Sequence, residues 1–126
     1  MLQESPAFSG FSVNDLDAAR AFYADTLGLT VEDGGPGFWL RLAGGRGVLV
    51  YPSPSHQAAS YTILNFPVPD IEAAVEELAG RGVAFEKYAG TPMATDEKGI
   101  FRQGGPLIAW FQDPSGNTLS VIEEQS

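Results

Sequence analysis

The stretch Val13-Asn14-Asp15-Leu16-Asp17-Ala18-Ala19 reappears later in the chain as Val68-Pro69-Asp70-Ile71-Glu72-Ala73-Ala74. Both copies follow an apolar extended stretch and open an amphipathic helix. Both helices then run into a glycine and a β-like segment, Leu27-Gly28-Leu29 and Arg81-Gly82-Val83. Self-similarity on this scale fixes an architecture before any single residue does. A strand-helix-strand unit present twice, each copy closed by a hairpin, makes a duplicated α+β chain. The expected organisation is one duplicated domain over 1–126. Module one covers about 6–52, a linker 53–59, and module two about 60–124.

Ala7 to Val13 reads as the first strand, rich in Phe and bounded by Pro6 and Asn14. Asn14 is the expected N-cap of the first helix, with Asp17 three residues on. Leu16, Ala19, Tyr23 and Leu27 recur at helical spacing and form its apolar face. Gly28 stops it. Leu29 to Glu32, Phe38 to Leu42 and Val48 to Tyr51 read as three further strands, separated by the turn-rich Asp33-Gly34-Gly35-Pro36-Gly37 and Ala43-Gly44-Gly45-Arg46-Gly47. In the second copy, Tyr61 to Phe66 is a strand, and Ile71, Ala74, Val75 and Leu78 give the helix its apolar face. Val83 to Tyr88, Leu107 to Gln112 and Thr118 to Glu123 are the strands that follow. Asp113-Pro114-Ser115-Gly116-Asn117 is a strong turn sequence between the last two. Residues 89–106 have no counterpart in the first copy. They read as a lid or rim, or equally as a solvated loop, with a short extra strand near Lys98 to Arg102.

Composition narrows the chemistry. The 126 residues hold no Cys and one His, which excludes disulfides, thiolate metal sites and thiol nucleophiles. The formal charge of −9, from 16 acidic and 7 basic residues, argues against a nucleic-acid partner and would help a cationic ligand. No stretch approaches the length of a membrane span. Met1 to Pro6 lacks the basic and apolar regions of a signal peptide, so the cytoplasm is the expected compartment. Phosphate-loop and dinucleotide patterns are absent.

The pattern V-N-D-L-D-A-A-R-A-F-Y-A-D-T-L-G-L, then V-P-D-I-E-A-A-V-E-E-L-A-G-R-G-V, then F-Q-D-P-S-G-N-T-L-S-V resembles the vicinal oxygen chelate superfamily. That group includes glyoxalase I, extradiol dioxygenases and bleomycin-resistance proteins. The resemblance covers about Phe8 to Glu123. It implies two βαβββ modules forming an eight-stranded, incompletely closed mixed sheet around a cleft, with the helices outside, and a homodimer. In metal-dependent members a His or Gln on the first strand of each module and a Glu on the last strand hold the ion. Carried over by position, those slots hold Phe8, Leu49, Ile63 and Ser120. A one-residue slip brings in no better ligands. No cofactor is therefore expected.

Strand alternation assigns the rest of the cleft wall. Phe8 brings Ser12 to its face, Leu49 brings Tyr51, Ile63 brings Tyr61 and Asn65, and Ser120 brings Thr118 and Ile122. Such a set suits either a small-molecule pocket or a filled core. Trp39 and Arg41 share a face that is either solvated or turned to the cleft. In the second case Arg41 can hold an anionic group. Trp110 is expected toward the cleft. His56, just past the linker, is a weak candidate for a general base, or an exposed loop residue. The expected function is metal-independent binding of a small, partly aromatic or apolar molecule, as in drug or metabolite sequestration. The rivals are a lyase, isomerase or dioxygenase with an unrelated metal site, a metal-free enzyme using His56, and an interaction module.

Overall fold

The computed structural model describes residues 1–44, 47–87 and 94–124. These form two compact units, Met1–Gln57 and Ala58–Ser126.

In the first unit a single 3-10 turn, Leu2–Glu4, precedes β1 (Ser9–Val13). Helix α1 (Leu16–Ala21) follows and continues as a π turn over Phe22–Thr26. Three strands complete the unit: β2 (Thr30–Gly34), β3 (Gly37–Arg41) and β4 (Gly47–Pro52). Their order in the sheet is β1-β4-β3-β2, with β1 parallel to β4 and the other pairs antiparallel. The N-cap of α1 is Asp15, not Asn14. Its carboxylate accepts the Ala18 amide at 3.1 Å, a reach that Asn14 lacks because it lies one residue too far from the first turn. The β2–β3 hairpin closes through Gly34 paired with Gly37, and Gly35 takes a φ of 60°, the left-handed geometry that suits tight hairpins.

Alternation splits the strand residues between two faces. Phe38, Leu40, Val48, Val50 and Val13 are buried with Ala19 and Tyr23 of the helical segment. Tyr23 is the centre of this core. Its ring meets Phe11 at 5.8 Å, Phe22 at 5.3 Å and Phe38 at 6.5 Å.

The second unit repeats the plan. Strand β5 (Thr62–Val68) leads into helix α2 (Ile71–Gly80), whose cap Asp70 accepts the amides of Glu72 and Ala73. Strands β6 (Ile100–Phe101), β7 (Ile108–Gln112) and β8 (Thr118–Glu123) follow. The order is β5-β8-β7-β6, with β5 and β8 parallel. The eight strands are thus hydrogen-bonded as two four-stranded mixed sheets. Ile71 and Val75 of α2 are buried, as are Ala109, Phe111, Leu119 and Val121 of β7 and β8, on which that helix packs. Asp113 organises the last turn: its carboxylate accepts the amides of Ser115 and Asn117 at 2.9 Å and the Asn117 side-chain amide at 2.9 Å.

Two further expectations need correction. Of the strand expected over Val83 to Tyr88, whose last residue lies outside the described residues, residues 83–87 form one bridge, Phe85 to Phe111, beside a bond from the Glu86 amide to Trp110 O. The edge of β7 has room for only a few residues. Phe85 and Glu86 occupy one half of it, and Ile100 and Phe101 the other. The insertion therefore divides what is a continuous strand, β2, in the first unit. The second correction lies in β5. A register shift between Thr62 and Leu64 leaves Ile63 without a partner, while Thr62 pairs with Thr118 and Asn65 with Ser120. Strict alternation through Tyr61, Ile63 and Asn65 fails there.

Candidate functional site

The face of the first sheet turned away from α1 carries Phe8, Gly10 and Ser12 from β1 and the residues before it. To these it adds Leu49 and Tyr51 from β4, Trp39 and Arg41 from β3, and Glu32 from β2. Five of the expected site residues, Phe8, Ser12, Trp39, Leu49 and Tyr51, share this face, and His56 meets Ser12; of these, Phe8 and Trp39 line a groove on it. Phe8, which is 61% exposed, meets the Trp39 ring edge-on at 4.8 Å. The Arg41 guanidinium lies over Trp39 at 5.4 Å, a cation–π arrangement. Glu32 holds that guanidinium from the other side, Nε to Oε1 at 3.1 Å and Nη2 to Oε2 at 3.3 Å. The two-point grip fixes the plane of the guanidinium and neutralises much of its charge.

Gly47 leaves room for this layer. A Cβ there would lie 2.8 Å from Arg41 Nη1 and 3.1 Å from the Trp39 ring. A side chain at this position would displace the guanidinium and press on the indole. Here lies an open groove of about 670 Å³, lined by Phe8, Trp39 and Arg41 together with Pro6, Leu42 and Gly44. Its size falls in the usual range for a small-molecule site. Glu32 escaped sequence reasoning. The signal was present, since hairpin pairing sets it opposite Trp39 and diagonal to Arg41.

Ser12 Oγ and His56 Nδ1 are 2.6 Å apart on this same unit. The sequence did not show that His56 folds back onto β1.

The remaining expected residues, Ile63, Asn65, Trp110 and Ser120, lie on the second unit. Trp110 stands opposite Ser120 in the ladder and faces away from α2. It is 7% exposed, and its Nε1–H donates to Thr62 Oγ1 at 3.1 Å. Ser120 Oγ donates to Asn65 Oδ1 at 2.5 Å. Thr62 was overlooked because the register shift that presents it leaves no mark in the residue pattern.

The described part of the insertion, 94–106, is tied to α2; residues 88–93 lie outside the described residues. Lys98 Nζ reaches Glu72 at 3.1 Å and Glu76 at 3.6 Å. Glu72 accordingly raises the Lys98 pKa. Asp96 accepts the amides of Lys98 and Ile100 and the Arg102 guanidinium at 2.8–2.9 Å. Burial pushes the Asp96 carboxyl up, but Arg102 and the two amides outweigh it and hold it below its ordinary value.

The slots that the resemblance assigns to an ion do not fit one. Phe8, Leu49 and Ile63 have no side-chain lone pair to donate, which leaves a single neutral hydroxyl, that of Ser120, among the four slots. Among the described residues, no group of three or more His, Cys, Asp or Glu gathers at one point. No described helix is long and apolar enough to cross a membrane.

The order strand, helix, three strands, with the first and last strands parallel, occurs once in each unit and defines a duplicated βαβββ protein. A family model described as the Glyoxalase/Bleomycin resistance protein/Dioxygenase superfamily matches residues 8–121, and the chain belongs to that superfamily. It is similar in structure to TnmS3, an antibiotic binding protein from Streptomyces sp. CB03234, with 26% identity and a TM-score of 0.61, over 94% of this chain and 96% of that one. It also resembles the fosfomycin resistance protein FosX from Listeria monocytogenes, with 15% identity and a TM-score of 0.69, over 94% and 92% of the two chains. A third similar structure is the oxidase ChaP-H2, with 21% identity and a TM-score of 0.63, over 94% of each chain. The last two likenesses speak to the fold alone. No match was found among curated proteins.

Proposed function

We propose that the chain is a metal-independent small-molecule-binding protein that acts as a homodimer in the cytoplasm and holds its guest on the open face of the first sheet. The observation that carries this reading is the groove of about 670 Å³ walled by Phe8, Trp39 and Arg41. Two aromatic edges offer a flat apolar guest van der Waals contact, and stacking on Trp39 adds about 0.5–1.5 kcal/mol beyond area burial. The overall charge of −9 raises the local concentration of a cationic guest, and Glu32 offsets the one guanidinium that would repel it. The likeness to an antibiotic binding protein agrees with sequestration as the role.

Titration calorimetry with flat aromatic compounds, including cationic and bleomycin-class drugs, tests the reading when run in excess chelator. The expected result is saturable heat that Trp39→Ala removes. Silence across the panel overturns it, and so does binding that appears only when a divalent metal is added. Light scattering during gel filtration checks the dimer.

A further inference from the structure

Ser12 and His56 are 44 positions apart in sequence, yet the hydroxyl and Nδ1 meet at 2.6 Å. The backbone enforces this meeting. The Ser53 amide donates to Val13 O at 3.0 Å, which extends the β1–β4 pairing by one bond. The His56 amide then donates to Ser53 O at 3.2 Å and closes a turn that carries the imidazole back over β1. Ser12 itself lies opposite Tyr51 in the ladder, on the same face as the groove. Two residues upstream, Gly10 leaves the sheet floor bare: a Cβ there would press on Leu49 O at 3.3 Å and sit 3.7 Å from the Tyr51 ring. At about 3.3 Å per residue, Ser12 is about 13 Å along the strand from Phe8.

We infer that Ser12 and His56 form a nucleophile–base pair that takes an acyl group from a small carboxylic ester. A serine hydroxyl is a weak nucleophile until a base stands within hydrogen-bond reach of its proton, and this pair meets that condition. In the tautomer that carries its proton on Nε2, Nδ1 is the nitrogen that accepts the hydroxyl proton. In the forward step Oγ bonds to the ester carbonyl carbon, and the hydroxyl proton passes to Nδ1. The carbon–oxygen bond to the alcohol then breaks, and the alcohol leaves with that proton. Water repeats the sequence on the acyl-serine, gives its proton to Nδ1, and frees the carboxylic acid and the hydroxyl. An acyl group held on Ser12 would lie over Gly10, beside Leu49 and Tyr51, which favours a compact apolar acyl chain.

This inference does not depend on the groove having a guest. The test is incubation of the full chain with p-nitrophenyl acetate, followed by intact mass and peptide mapping. The expected result is one acetyl group on the peptide and side chain of Ser12, with one nitrophenolate released per chain in a burst. His56→Gln should slow the burst by about tenfold to a hundredfold, and Ser12→Ala should abolish it. The mapping is made on the unaltered chain, so it decides the site even where a variant folds poorly. Acetyl found on another residue, no adduct at all, or an unchanged burst in folded His56→Gln would overturn the pair.

Discussion

The two modules repeat a backbone and part company on the sheet face turned away from their own helices. In the first, Phe8 and Tyr51 are 61% and 36% exposed, and Trp39 is partly open beside a paired Arg41. In the second, Trp110, Thr118 and Ser120 are 7%, 5% and 0% exposed, with Trp110 and Ser120 bonded to Thr62 and Asn65. One face presents groups, and the other consumes them in its own hydrogen bonds. Duplication supplied a scaffold twice, and side-chain choice on one surface gave the copies different uses. A buried hydroxyl or indole must find a partner. On the second face Thr62 and Asn65 supply such partners to Trp110 and Ser120.

The comparison implies that the helix-facing cores are equivalent. Tyr23→Ala and Phe111→Ala each empty a fully buried aromatic site, and each should cost about 3–5 kcal/mol in denaturant unfolding. A cost near zero for either would mean that one module does not support the fold. The open faces should diverge instead. Trp110→Phe removes a buried indole N–H that donates to Thr62, and should destabilise by about 1–3 kcal/mol. Trp39→Phe should change stability by less than about 1 kcal/mol, because the ring is partly exposed and makes an edge contact. Its larger effect should be on guest affinity. If the two tryptophans cost the same in unfolding, the distinction between presenting and sealed faces falls.

The helix caps allow a finer comparison. Asp15 accepts one amide and Asp70 accepts two. Replacing either with Ala should cost about 1 kcal/mol, with Asp70→Ala the larger loss by thermal unfolding.

How far the sequence carried this account depends on the range of each interaction. The repeat, the strand alternation and the apolar stripe of α2 are local, period-based signals, and apart from the strand expected over Val83 to Tyr88 the strands fall within a residue or two of where those signals put them. The gathering of Phe8, Ser12, Trp39, Leu49 and Tyr51 on one surface follows from period two plus pairing order, and only the order had to come from resemblance. What the residue pattern could not hold was set by long-range contact. The shift at Ile63 depends on β8 pairing. The split edge of β7 depends on where the insertion returns, and the approach of His56 to Ser12 depends on a turn anchored to Val13. The cap at Asp15 was misplaced by one residue because Asn14 and Asp15 are both good caps, and only the helix start chooses between them.

The smallest effect concerns the edge that differs between the modules. In the first, β2 is a continuous strand paired along its length with β3. In the second, the edge is interrupted, and the Asp96 carboxylate holds the turn that leads into its Ile100–Phe101 piece through Lys98, Ile100 and Arg102. The folded Asp96 pKa lies below the ordinary 3.8, so this carboxylate stabilises the folded loop at any pH above 3.8. That contribution fades as pH falls from 3.8 through the depressed folded value, where protonation takes away the charge that strengthens the bonds from the amides and from Arg102. Amide hydrogen exchange should therefore show Lys98 and Ile100 losing protection over that acid window. The β2–β3 amides of the first module should keep theirs. Asp96→Asn should abolish the acid dependence at Lys98 and Ile100, since its amide oxygen does not titrate. Equal acid sensitivity on both edges would show that a general charge effect governs them, and that the interrupted edge does not rely on its one carboxylate.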